Sequence, residues 1–167
     1  MKTRKEFGFK RTVCACSTCK IPCHFMPGFL VPQDLERMRQ KIAPKLTLEE
    51  FGEKFLRASP GALVAKDGQP FRIPTLVPKR DASGGCYFLG IDERCTIHAA
   101  APFGCAFFDS HDSDGDWQRR SRAGLNAIVQ DIQTRGPYIR LHEHLKSKGL
   151  TAPGPEQCRA RREREGY

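Results

Sequence analysis

Seven of the eight cysteines fall into two groups, Cys14, Cys16, Cys19 and Cys23 near the start and Cys86, Cys95 and Cys105 in the middle, while Cys158 stands alone toward the C-terminus. Thiolates are soft ligands, and four of them suit either a tetrahedral zinc ion or an iron–sulfur cluster. The chemistry available to these residues is therefore metal binding, with thiols enough for two sets of four. The spacings Cys14-x-Cys16 and Cys16-x-x-Cys19 are short loops of the kind in which neighbouring ligands share one ion. Disulfides are the competing use of cysteine. Met1, Lys2, Thr3, Arg4 and Lys5 are followed by no apolar segment and no small-residue cleavage site, which predicts a cytosolic protein, where reducing thiol buffers disfavour such bonds. A third use is packing, since an isolated cysteine serves as a small apolar side chain. Cys158 stands open between ligand and buried thiol.

Other groups with chemical potential are weaker. His98, three residues after Cys95, is either a ligand or a histidine bonded to a backbone group. Asp109, His111, Asp112, Asp114 and Asp116 suggest a calcium loop, but aligning Gly115 with the invariant glycine of an EF-hand puts Ser110 first and Ser121 last, where a bidentate glutamate is required. The simpler expectation is that Asp114 or Asp116 caps a following helix, whose positive end favours the other acids. His142 and His144 are two apart on a predicted helix and face different directions. No nucleophile motif, phosphate-cradling loop or dinucleotide fingerprint is present.

The elements that must position the cysteines follow from the punctuation between them. Cys14 and Cys16 meet at one ion only if the backbone turns between them, and Cys19 and Cys23 share a helical face, although Pro22 restricts that helix to about a turn. Helices are predicted from Gln33 to Ile42 and from Leu48 to Ala58, the second opened by a Thr47/Glu50 capping box and closed by Ser59-Pro60-Gly61. Ala62–Ala65 and Phe71–Val77 read as a hairpin that Pro70, Pro74 and Pro78 keep short or at an edge. Around an Asp92-Glu93-Arg94 turn the chain folds back, bringing Cys86 and Cys95 together, and a short helical turn over residues 102–108 supplies Cys105. Long helices follow from Trp117 to Gln133, with Leu125, Ile128, Val129 and Ile132 as the buried face, and from Tyr138 to Lys148. The fold class is thus α+β and mostly helical, with a small β hairpin and irregular cysteine-rich loops organised around metal. Residues 1–150 form a single domain, and 151–167 an extended basic tail that either returns Cys158 to the site or leaves it free.

At 167 residues the chain supports one modest core, and its longest apolar-rich stretch, Ile97 to Phe108, is broken by Pro102 and Gly104, so no membrane span is expected. The formal charge of +9 gathers at Lys2, Arg4, Lys5, Lys10 and Arg11 and at Arg159, Arg161, Arg162 and Arg164. Such ends suit phosphate, which makes nucleic acid one partner class beside an unidentified protein partner or substrate, although solvated termini give the same pattern.

The N-terminal quartet, followed by Cys86-Tyr87-Phe88-Leu89, Cys95-Thr96-Ile97-His98 and Pro102-x-x-Cys105, resembles the bacterial cysteine-cluster family of zinc- or iron-chelating proteins, whose domain also occurs in flagellin lysine N-methylase. The resemblance covers roughly Cys14 to Phe108. It implies that these cysteines bind zinc or an iron–sulfur cluster, with Cys158 as the last ligand, and it admits a protein-modifying activity such as lysine methylation. The chain departs from the family in the order of its first cluster, which usually ends in adjacent cysteines. It also has His98 for the family's tyrosine, Ala101 for the arginine before the proline, and Ala106 for the arginine after the last cysteine. A zinc-stabilised nucleic-acid binder is the alternative that charge alone supports.

Overall fold

The computed structural model describes residues 14, 16–108, 110–111 and 113–167; Lys2, Arg4, Lys5, Lys10, Arg11, Asp109 and Asp112 lie outside the described residues. Where the punctuation is chemical, the helices begin as expected. Thr47 and Glu50 form both halves of the capping box, the Glu50 N–H donating to Thr47 Oγ1 at 3.2 Å and the Thr47 N–H to Glu50 Oε2 at 2.7 Å. Together they open α3 (Leu48–Phe55). Before it, α2 (Pro32–Ile42) starts on a proline whose missing N–H is not needed at a first turn.

The α3 helix stops three residues short of the predicted Ala58, because Leu56, Arg57 and Ala58 pair with Pro78, Val77 and Leu76. The resulting hairpin is longer than its prolines suggest, with β1 (Leu56–Lys66) antiparallel to β2 (Gln69–Pro78) as a two-stranded sheet. Among the described residues each strand pairs with one other strand, β1 adding a single bridge from Ala58 to Thr151, so a proline can turn its missing donor outward. The ladder slips between Ser59 and Ala62, where Gly61 adopts φ 81° and a Cβ would fall 1.9 Å from the Ile73 carbonyl oxygen. Only glycine fits that bulge. At the tip, Asp67 and Gly68 both have positive φ, as a two-residue turn matched to strand twist demands.

One face of the hairpin is covered by α5 (Asp114–Gln133) and α6 (Pro137–Ser147). The expected α5 stripe packs inward, with Ile128 fully buried and Leu125, Val129 and Ile132 against the core of Phe51, Leu56, Leu76 and Leu145. The helix begins earlier than Trp117, and its cap is Ser113, whose hydroxyl accepts from the Asp116 N–H at 3.2 Å, rather than either aspartate. At the centre, the Tyr138 hydroxyl accepts from the Leu76 N–H at 2.7 Å and donates to the Leu30 carbonyl at 2.8 Å, tying α6 to β2 and to the chain entering α2.

The C-terminal residues are not extended. They form α7 (Pro155–Arg164), capped by Gln157 accepting from the Gly154 N–H at 2.9 Å. This helix docks on α1 (Ser17–Phe25): the Arg161 guanidinium sits 5.1 Å over the Phe25 ring, and the Tyr167 ring lies 5.2 Å from it. Among the described residues no helix is long and apolar enough to cross a membrane.

Candidate metal centre

The α1 helix starts immediately after Cys16, its N-cap, whose backbone is extended. The Cys14 and Cys16 sulfurs come together, and Cys19 joins them from the first helical turn. The fourth donor comes from far along the chain. His111, in the loop leading to α5, brings Nε2 to 3.5 Å from Cys16 Sγ, and one donor atom from each of Cys14, Cys16, Cys19 and His111 lies within 4.8 Å of the others. Three sulfurs and an imidazole make a structural zinc set. Zinc–sulfur bonds of ~2.3 Å place tetrahedral sulfurs roughly 3.8 Å apart, so closing the set around an ion takes shifts of about 1 Å.

The electrostatics prepare this group for an ion. The Cys19 N–H at the start of α1 points its positive end at Cys16, and together with His111 it draws the Cys16 thiol down to about 6. Cys16 is exposed and is a thiolate at neutral pH. Burial moves Cys19 the other way, opposed by the Ser110 N–H, which donates to its sulfur at 3.3 Å. The same loop thus supplies one candidate donor, His111, and an amide that bonds another, Cys19.

The second half of the cysteines gathers deeper. The α1 helix runs on through Pro22 to Phe25, longer than the single turn expected, and Cys23, one turn beyond Cys19, lines a cleft with Cys86, Cys95 and Cys105. Cys19 and Cys23, four apart on α1, both line that cleft, but the tight group takes Cys19 without Cys23. The Cys86 N–H donates to the Cys23 carbonyl at 2.7 Å, which fixes the loop after β2 against α1. From there the chain doubles back as expected, Leu89 bridging Cys95 and the Thr96 N–H donating to the Phe88 carbonyl at 2.9 Å. A 3₁₀ turn, His98–Ala100, leads to the short α4 (Phe103–Ala106), which carries Cys105.

Two contacts seat α4. Asp34 of α2 is buried and accepts from the Phe103 N–H at 2.7 Å, while its partner Arg37 donates to the Ala100 and Ala101 carbonyls at 2.9 and 3.0 Å. Gly28 and Gly104 press backbone to backbone, a Cβ on Gly28 falling 2.1 Å from the Gly104 carbonyl carbon. Cys23, Cys86, Cys95 and Cys105 all line one cleft of about 770 Å³, whose wall also includes Cys14 and Cys19. Burial raises the Cys23 thiol, pushes Cys86 up to about 12 and raises Cys105 well above its ordinary range. Charge on their neighbours in the cleft adds to each shift.

Cys158 is elsewhere. Buried on α7, its sulfur lies 2.8 Å from Arg80 Nη2 and 3.9 Å from the Pro153 carbonyl, and it does not line the cleft. His98 lines the cleft without joining the tight group. His142 Nε2 lies 2.9 Å from the Ser59 carbonyl and His144 Nε2 2.7 Å from Glu53, so they are separately engaged, as their spacing predicts. Asp116 pairs with Ser113 and Arg119, a helix-start role.

No family model matches the chain, and no solved structure matches it. The chain is 33% identical over 127 residues to a ribonuclease 3 of Pseudoalteromonas translucida (strain TAC 125), a stretch that is 72% of this chain and 48% of that protein. It therefore spans about half the length of the curated relative it matches. What the geometry itself shows is a cysteine and histidine group able to chelate a metal ion.

Proposed function

We propose that this is a zinc-binding protein in which Cys14, Cys16, Cys19 and His111 hold one ion that fastens α1 to the loop before α5. The observation that carries the reading is the convergence of four donor atoms within 4.8 Å from segments 95 residues apart. Among the described residues the group consists of three thiols and one imidazole, which matches a closed structural site rather than a catalytic one with an open position. The Cys16 thiolate is the natural first ligand, because it needs no proton removed at neutral pH. Each other thiol releases its proton as it ligates. The spacing likeness to the cysteine-cluster family supports the same reading, and a thiolate centre of this kind belongs in a reducing compartment such as the cytosol.

The test is metal analysis of the full chain with a cobalt titration. One zinc per chain, replaced by one cobalt with the absorption of a tetrahedral thiolate site and lost in Cys16→Ser and His111→Ala, is the expected result. Cobalt uptake indifferent to both substitutions would refute the assignment.

A second reading, contact with nucleic acid, is favoured by the similarity to a ribonuclease 3 and by the net charge of +9. It predicts retention of RNA on filters at low salt that falls steeply as salt rises. No retention at low salt ends it.

A further inference from the structure

We propose that Cys23, Cys86, Cys95 and Cys105 form a second centre, separate from the zinc group, that takes a polynuclear iron–sulfur cluster. The inference rests on the reading of this chain as a metal-binding protein but uses none of the first site's ligands. Four elements deliver the thiols to one place: the end of α1, the loop after β2, the doubled-back turn and α4. Each delivery has its own device. The Cys86 N–H bonds the Cys23 carbonyl at 2.7 Å, the Leu89–Cys95 bridge sets the turn, and the Gly28–Gly104 contact presses α4 against the chain leaving α1.

The spacing separates the two centres. Donors of the first group lie within 4.8 Å of one another, whereas among the described residues no such tight set includes any of these four cysteines. They nevertheless face a common space of about 770 Å³ and are near enough to feel one another's charge. A single zinc would have to draw the four sulfurs to roughly 3.8 Å apart. A core of several irons bridged by sulfides lets them stay farther apart, with one thiolate on each ligated position. The shell suits it as well, since Phe88, Leu89, Ile97 and Phe108 line the same cleft and shield such a core from water. On ligation each thiol loses its proton to solvent, and four thiolates offset the positive charge of the iron–sulfide core. Cys158, held by Arg80, is not a member.

The experiment uses the full chain purified anaerobically and supplied with ferric and ferrous iron and sulfide, alongside Cys95→Ser, Cys86→Ser/Cys105→Ser and Cys14→Ser/Cys16→Ser. Iron, acid-labile sulfide and zinc are counted per chain, with visible absorption and circular dichroism. Wild type is expected to hold iron and sulfide in equal numbers, two or more of each, in addition to one zinc. Cys95→Ser, a partly exposed position, and the Cys86/Cys105 pair should lose the iron and keep the zinc, while the Cys14/Cys16 pair should do the reverse. Iron without sulfide, zinc alone in wild type, or iron that survives both Cys95→Ser and the Cys86/Cys105 pair would overturn the proposal. Loss of zinc from wild type with the iron–sulfide count intact would instead strike the first site and leave the second standing.

Discussion

Replacing Gly28 with alanine tests how the deep cysteines are positioned. The new methyl carbon would sit 2.1 Å from the Gly104 carbonyl carbon and 2.5 Å from the Cys105 amide nitrogen, both backbone atoms that no side-chain rotation can move. Ordinary contact begins near 3.4 Å, so α4 and the chain leaving α1 must part by about 1.3 Å. That motion strains the bond from the Gly104 N–H to the Phe29 carbonyl, now 2.8 Å, and carries Cys105 with it. Overpacking of this kind costs about 1–3 kcal/mol. For a chain of this size each kcal/mol moves the melting temperature by roughly 2–4 °C, so the midpoint should fall by about 2–12 °C. Gly115→Ala is the matched control, because nothing lies within 4 Å of its added methyl. In the first turn of α5 it should be neutral or stabilising by up to about 1 kcal/mol. Thermal unfolding followed by circular dichroism, with thiol labelling of Cys105 by mass spectrometry, reads both effects. A Gly28→Ala protein that melts within a degree of wild type and labels Cys105 no faster would show that the glycine contact does not hold the cysteine.

In the metal-free chain Cys16 should react first with iodoacetamide at pH 7, with a reactivity midpoint near 6; uniform labelling of all eight cysteines would contradict its depressed thiol. Because that group is depressed on folding, its contribution to stability is complete above the unfolded value, near 9, and disappears as pH falls through about 6, which acid titration of the metal-free melting temperature checks. Tyr138→Phe removes the hydroxyl that serves both the Leu76 N–H and the Leu30 carbonyl, leaving two buried groups unpaired at about 1–3 kcal/mol each, measurable by urea unfolding. His111→Ala should weaken zinc binding while leaving the core circular dichroism intact; unchanged affinity in a competition titration would remove it from the site.

The sequence made the elements legible where a residue's own backbone chemistry sets the boundary. Thr47 with Glu50, Pro32 and the Asp67-Gly68 turn all act over a few residues, and the helices and hairpin stand there. The end of α3 was not legible, because Leu56 to Ala58 suit a helix locally and become strand only by pairing with residues about twenty positions away. The α7 helix escaped notice for a similar reason. Its few apolar residues give no stripe, and its order comes from the Gln157 cap and from docking on Phe25. In the site, the cysteines announced themselves by type and spacing, but their division into a tight group and a deeper one depends on contacts with distant residues, Ser110 and His111 at one end and the loop after β2 at the other. His111 was visible only as one member of an acidic loop. A histidine joined to cysteines across 95 residues leaves no local spacing to detect, and Cys23 completed a quartet beside Cys14, Cys16 and Cys19 that left no donor to look for.

The C-terminal half of α1 is held to the body by the buried Phe25 ring and by the Cys23 and Phe25 carbonyls, which accept from the Cys86 N–H and from Arg80, whereas the first turn, with Ser17 and Thr18 exposed, has the proposed ion as its anchor. An ion there closes a loop of about 95 residues, and by analogy with a cross-link of that length it restricts the unfolded chain by about 4–5 kcal/mol. Without it, that first turn is the part of α1 that frays, opening Ser17 and Thr18 to cleavage while the core stays folded. Metal supply would then govern how long each copy of the protein survives in the cell, making its abundance a running record of zinc availability.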